Sequence, residues 1–140
     1  MDQTAIVLPF AGTMLLTVGV WFYMYARRIP FILRNNLLSQ QLTPAELARL
    51  SPPDVANPSD NLKNLFELPT IFYAVVLYLY AAQQVDRWYV AAAWIFFAFR
   101  VMHSVVHCTF NSVPLRFWLY ATAALALWFM VLRLAWRVFF

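Results

Sequence analysis

An all-α bundle of four membrane-spanning helices is the fold this sequence predicts, and three observations predict it. Of 140 residues, 64% are hydrophobic and 11% are charged, against about 25% charged in an ordinary soluble domain. Four long apolar runs divide the chain, each close to the ~20 residues a helix needs to cross a bilayer. One polar, proline-rich stretch and two short connections separate them. A single domain over residues 1–140 follows, with helices at about 5–26, 61–83, 88–109 and 114–136 and a cytoplasmic loop at about 27–60.

The first run, Ala5 to Ala26, holds 22 residues without a charge. No basic stretch precedes it, and it is longer than the apolar core of a signal peptide, so it reads as a retained helix. Pro9 sits near its start, where a missing N–H costs little. Gly12 and Gly19, seven apart, share a face that lets another helix approach closely.

Five of the eight prolines lie between Ile29 and Asp60. Within that stretch Thr43, Pro44 and Glu46 have the N-cap, first-position and third-position pattern of a short helix. The second run is charge-free from Leu68 to Val85. Its helix is expected to start near Asn61, which brings Lys63, Asn64 and Glu67 into the first turns. Asn64 and Glu67 then share a face, and Lys63 has Glu67 four residues on as an ion-pair partner. The third run, Trp88 to Thr109, is interrupted by Arg100, His103 and His107. Ser112 and Pro114 mark the start of the fourth helix, charge-free from Phe117 to Leu132.

The formal charge of +4 is spread over helix ends and loops with no basic stripe, which excludes a nucleic-acid partner and leaves the basic side chains to snorkel toward lipid headgroups. Arg27, Arg28, Arg34, Arg49 and Lys63 flank the first loop and Arg116 the third connection. Only Arg87, Arg133 and Arg137 fall on the other side. The positive-inside rule then puts both termini on the non-cytoplasmic side. Trp21, Trp88, Trp118 and Trp136 occupy segment ends, as interfacial belt residues do. Cys108 is the single cysteine, so no intrachain disulfide is possible, and it reads as a small apolar filler.

Ionisable groups inside membrane helices are costly and mark functional sites. Arg100, His103 and His107 fall on one face of the third helix. Helix-to-helix hydrogen bonding is the ordinary use of such a stripe. His103 and His107 also have a metal-ligand spacing, with Glu67 the one carboxylate in position to be a third ligand; no metal is expected. Arg116 and Tyr120, four apart on the fourth helix, set a fixed cation beside a hydroxyl. By the topology above, Arg27, Lys63, Asn64, Glu67, His103, His107, Arg116 and Tyr120 all belong to the cytoplasmic end. There they form a candidate pocket for an anionic ligand meeting a lipophilic substrate from the membrane.

Two stretches carry a family resemblance over essentially the whole chain. Asn61-Leu-Lys-Asn-Leu-Phe-Glu-Leu-Pro69 resembles the helix-two signature of the membrane-associated proteins in eicosanoid and glutathione metabolism, called MAPEG. Arg100-Val-Met-His-Ser-Val-Val-His107, followed by Pro114-Leu-Arg116 and Tyr120, resembles that family's microsomal prostaglandin E synthase and glutathione transferase branch. The resemblance implies a homotrimer with glutathione bound as co-substrate between neighbouring subunits. It implies that Arg116 stabilises the glutathione thiolate, and that Tyr120, His103, Asn64 and Glu67 contact the tripeptide; Arg27 is a looser match to a helix-one arginine. The sequence departs from the pattern at Asp60 and Lys63, where relatives carry arginines, at His107, where a tyrosine is expected, and at Pro69, two residues after Glu67 rather than four.

Two functions follow as expectations. One is a glutathione-dependent transferase, peroxidase or isomerase acting on lipophilic electrophiles or peroxides. The other is a non-catalytic trimer that binds lipid or a partner through a degenerate pocket. A proton-coupled exporter is disfavoured, because such proteins place a carboxylate deep in a helix and here only Glu67, near an interface, is available.

Overall fold

Where the apolar runs meet no obstacle they form long helices, and prolines set most of the interruptions. In a computed structural model, which describes residues 2–139, α1 is Val7–Arg34, α2 Pro44–Leu50, α3 Pro53–Asn64, α4 Leu68–Ala81, α5 Arg87–Cys108 and α6 Val113–Phe139. Single 3-10 turns precede α1 and α2, and no strand occurs among the described residues. Four helical stretches are long and apolar enough to cross a membrane: Gln3–Arg34, Pro53–Ala81, α5 and α6.

The helical boundaries differ from expectation in the first loop. α1 continues to Arg34 instead of ending near residue 26. Pro30 within it removes one backbone hydrogen bond, but the last turns are held from outside. Arg27 pairs with the Asp54 carboxylate, and Arg28 Nη2 donates to Ser59 Oγ at 2.7 Å. Both partners lie on α3, so the stretch assigned to loop at 27–60 holds the end of α1, all of α2 and most of α3. In α2, Thr43 and Pro44 occupy the expected N-cap and first positions, but the Thr43 side chain makes no capping bond.

The second crossing is broken rather than continuous. α3 ends at Asn64, and Glu67 has φ −91° and ψ −103°, outside the helical region, before α4 resumes at Leu68. Pro69 explains the break. It has no N–H to give the Leu65 carbonyl, and its ring would crowd that carbonyl in a continuous helix. Asn64 and Glu67 therefore do not share the face of one helix, and Lys63 pairs with Asp60 at 2.8 Å instead of with Glu67.

α5 lies against both α1 and α6. Phe72 of α4 stacks on Phe96 of α5 with ring centroids 4.4 Å apart, and Ile6, Leu79, Tyr89, Leu127 and Met130 are fully buried around them. Gly12 is needed for the approach of α1 to α5, because a Cβ there would stand 2.8 Å from the Phe97 ring. Gly19, expected to act with it, has nothing within 4 Å. The outer faces of α1 and α6, including Leu8, Leu15, Phe22, Leu125, Phe129 and Leu132, are apolar and exposed, as lipid- or neighbour-facing surfaces are.

One end of the bundle is closed by a charge cluster. Asp86 caps α5, accepting from the Trp88 and Tyr89 amides at 3.0 and 3.2 Å. It also pairs with Arg133 at 2.7 Å and Arg137 at 2.8 Å on the last turns of α6. Both guanidinium groups lie over the Tyr89 ring, at 4.5 and 5.4 Å from its centroid. The Gln3 side chain accepts from Val85 N at 2.9 Å and donates to Val85 O at 3.3 Å, fixing the chain start to the same end.

The Arg133 hydrogen bond, with help from the α5 amides, holds the Asp86 carboxyl well below the usual carboxylate range. A depressed folded-state value means the charge stabilises the fold above the unfolded carboxylate pKa of ~3.9, and that the contribution is lost as pH falls from there toward the folded value. Asp86→Asn keeps the cap, since asparagine caps as well as aspartate, and removes the charge together with the Oδ2 acceptor that Arg137 uses. The variant is expected to lose roughly 1–2 kcal/mol at neutral pH. Thermal unfolding in detergent should show a gap from wild type that is constant above about pH 5 and closes below about pH 4. A gap independent of pH would show that the charge contributes nothing.

Candidate functional site

The opposite end of the bundle brings together the end of α1, the α3–α4 break, the end of α5 and the start of α6. Its centre is Arg100, a fully buried side chain on α5. Breaking the second crossing frees the Asn64 carbonyl from the bond it would make to Leu68 N in a continuous helix, and Arg100 Nη2 donates to that oxygen at 2.8 Å. The guanidinium lies 5.7 Å from the Tyr120 ring centroid and within electrostatic reach of Glu67, Tyr120 and Tyr73. Its Nε and Nη1 are buried without a partner.

His103 and His107 continue the Arg100 face, each 3% exposed. Their rings stand edge-on at 5.6 Å, and His103 is 6.0 Å from the Tyr120 ring. His103 Nδ1 meets the Arg116 carbonyl at 3.1 Å. A carbonyl only accepts, so Nδ1 carries the hydrogen, and in the neutral ring Nε2 then presents a lone pair. That Nε2 and His107 Nδ1 are both buried and unpartnered. His107 is within electrostatic reach of Arg116, Asp60 and Arg100.

Arg116, half-buried at the start of α6, donates from Nη1 to the Asn111 side-chain oxygen. Asn111 sits in the α5–α6 turn with φ 50°, a left-handed conformation that asparagine tolerates. Its amide donates in turn to Asn57 Oδ1 on α3 at 2.9 Å. The Arg116 head is thus tied through one turn residue to α3, and its Nε remains buried without a partner.

Arg116, His103, His107 and Tyr120 thus stand together in one chain, joined by Arg100 and, through its backbone carbonyl, Asn64. Glu67 is exposed beside them. Lys63 points to Asp60, and Arg27 is spent on Asp54, so neither reaches the cluster within the single chain. Among the described residues no three His, Cys, Asp or Glu side chains converge in a way that could hold a metal ion.

Sequence reasoning left several polar residues out. Arg100 was visible as a charge in an apolar run, but its place at the hub depends on the Pro69 break. Asn61 is fully buried and accepts from Ser104 Oγ at 3.3 Å while its amide lies 3.5 Å from Cys108 Sγ. Cys108 is therefore a polar contact of α3, not only filler. Asn57 and Asn111 carried no signal beyond polarity.

Four crossings with apolar outer faces, closed by ion pairs at one end and carrying a buried polar layer at the other, define an integral, multi-pass membrane protein. The family model described as the MAPEG family matches residues 6–136, nearly the whole chain. The chain belongs to the MAPEG family, a family with glutathione-related enzymes. No curated protein and no solved structure gives a significant match.

The Asn61 contacts make a direct stability prediction. Asn61→Ala leaves the buried Ser104 hydroxyl without its acceptor and opens a gap beside Cys108. Unfolding in detergent should show a loss of about 1–3 kcal/mol. An unchanged transition would show that this polar seam between α3 and α5 is dispensable.

Proposed function

We propose that this protein is a glutathione-dependent membrane enzyme, a transferase, peroxidase or isomerase acting on lipophilic electrophiles or peroxides. The observation that carries the reading is the set of unpartnered buried polar atoms at one end of the bundle: Arg100 Nε and Nη1, His103 Nε2, His107 Nδ1 and Arg116 Nε. A buried polar atom without a hydrogen bond is costly, and these atoms combine donors with at least one acceptor. Two fixed cations, Arg100 and Arg116, face one nearby carboxylate, Glu67, because Asp60 is taken by Lys63. The local balance favours a ligand that is anionic overall yet also carries donors. Glutathione, with two carboxylates, an ammonium, amide N–H groups and a thiol, fits that balance.

The roles follow from the chemistry of each group. Arg116 stabilises the thiolate, lowering a thiol pKa of ~8.5 by roughly 1–3 units, so that sulfur attacks without an acid–base relay. Tyr120 supplies a hydroxyl donor beside it. His103 Nε2 accepts from an N–H of the peptide, His107 lines the same wall, and Glu67 receives the ammonium. Asn64 anchors Arg100. Arg27 and Lys63 serve the carboxylates from a neighbouring subunit of a homotrimer, in which the apolar faces of α1 and α6 meet. The substrate enters from the lipid, and both termini lie on the non-cytoplasmic side, with the site at the cytoplasmic face.

One observation favours a second reading. Lys63 and Arg27 are both engaged by carboxylates of this chain. If those pairs hold in the assembly, the site lacks its outer cations, and the protein is a trimer that binds lipid or a partner with its old pocket empty.

The two readings separate on purified protein. Glutathione is expected to raise the wild-type unfolding temperature, and conjugation or peroxidase activity should fall at least about 100-fold in Arg116→Ala, the loss of a stabilising charge at the reacting atom. Equal inactivity of wild type and variant, with no glutathione effect on unfolding, would overturn the enzyme reading.

A further inference from the structure

Arg27, Arg49, Arg133 and Arg137 each meet a carboxylate. Arg116 is held in another way. Its Nη1 donates to the side-chain oxygen of Asn111, a neutral acceptor that leaves the guanidinium its full charge. A guanidinium only donates, so Asn111 has to turn Oδ1 toward it. The Asn111 Nδ2 then donates to Asn57 Oδ1 on α3 at 2.9 Å, which fixes the amide from its far side. The backbone at Asn111 is fixed as well. Its N–H donates to the Val106 carbonyl at 2.8 Å, closing the end of α5. Its φ of 50° is one that glycine adopts more easily than asparagine. The turn by itself therefore calls for a left-handed residue, not for an amide. The Arg116 backbone is pinned at both polar atoms: its N–H donates to the Ser112 carbonyl at 2.9 Å, and its carbonyl meets His103 Nδ1 at 3.1 Å. With Nη1 tied to Asn111, Nε is left as a buried donor without a partner.

We propose that Asn111 is a positioning residue for Arg116, a neutral anchor that holds the guanidinium by one edge and leaves its charge uncompensated for the anion it stabilises. A long, flexible side chain placed in advance spares the reacting complex the cost of ordering it. A preorganised donor acts on developing charge without rearranging. A carboxylate in the same place would grip the arginine more strongly, but it would cancel the charge and repel a sulfur anion beside it. The amide supplies the grip without the charge, and Asn57 keeps it turned the right way. The anchoring stands on the contacts of this chain alone. Its chemical consequence, a thiolate favoured at Arg116, rests on the glutathione reading.

The test uses the full-length protein in detergent with isotope-labelled arginine, and two variants. Asn111→Gly suits the left-handed turn and deletes the amide. Asn111→Asp keeps an acceptor and adds a charge. The Arg116 Nε–H signal in nitrogen NMR, assigned by its absence from Arg116→Lys, should stand apart from the free-arginine position in the wild type without glutathione. In Asn111→Gly it should collapse to that position. Turnover of glutathione with a lipophilic electrophile should fall at least about tenfold in kcat in Asn111→Gly, with a smaller change in KM for glutathione. In Asn111→Asp the limb along which kcat rises with pH should move up by about one unit, because the added negative charge disfavours the thiolate. An Arg116 signal that Asn111→Gly leaves unchanged would overturn the anchor. A limb that Asn111→Asp leaves in place, with an active wild type, would overturn the role of its neutrality. A wild type without turnover, whose Arg116 signal still collapses in Asn111→Gly, would support the anchor and count against the glutathione reading alone.

Discussion

The architecture turns on one hydrogen bond in a place without water, from the buried Arg100 guanidinium to the Asn64 carbonyl. In a hydrocarbon environment a backbone group freed from its helix has to find a protein partner. Pro69 frees that carbonyl by ending α3, and Arg100 on α5 supplies the donor. The exchange works in both directions, because a charge on a membrane helix needs a polar anchor as much as the broken backbone does. It joins the second and third crossings, and it orients an arginine whose Nε and Nη1 stay buried without a protein partner.

The two ends of the bundle differ in how their charged groups are satisfied. At one end Asp86 serves two backbone amides and two arginines, and Gln3 completes the closure. The charged groups there are matched to each other, while the Tyr89 hydroxyl and Gln84 Oε1 are buried without a partner. At the other end Arg100, His103, His107 and Arg116 keep buried atoms unmatched. Asn61 and Ser104 satisfy each other beside them, as do Asn57 and Asn111. Sites that bind ligands are where such costs are found, because a bound ligand repairs them.

Much of this was legible in the amino acids. Four long apolar runs near spanning length, one of them interrupted by Arg100, set the number of crossings, since length and composition decide what a bilayer accepts. The stripe Arg100, His103 and His107 was readable from helical periodicity, and Arg116 with Tyr120 from their spacing. The first loop was less legible. Pro44 marks a helix start in the sequence, but Pro53 opens another, where a missing N–H is harmless, and α1 outruns its apolar run because Asp54 and Ser59 hold its arginines from α3. Pro69 was noted only as a motif residue. Its effect on Asn64, Lys63 and Glu67 depends on which carbonyl it frees and on what lies across from it, and that is a tertiary fact. Likewise, nothing local distinguished Arg27, held in an exposed ion pair, from Arg28, whose Nε is buried.

The account stands on Arg116 sharing its charge with a sulfur anion, and the thiol pKa of bound glutathione measures this directly. Ultraviolet difference spectra of the thiolate, recorded against pH with saturating protein, should place that pKa at least about one unit below the free value of ~8.5. With Arg116→Ala it should return to the free value. Glutathione that binds the wild-type protein and titrates as it does in water would contradict the account.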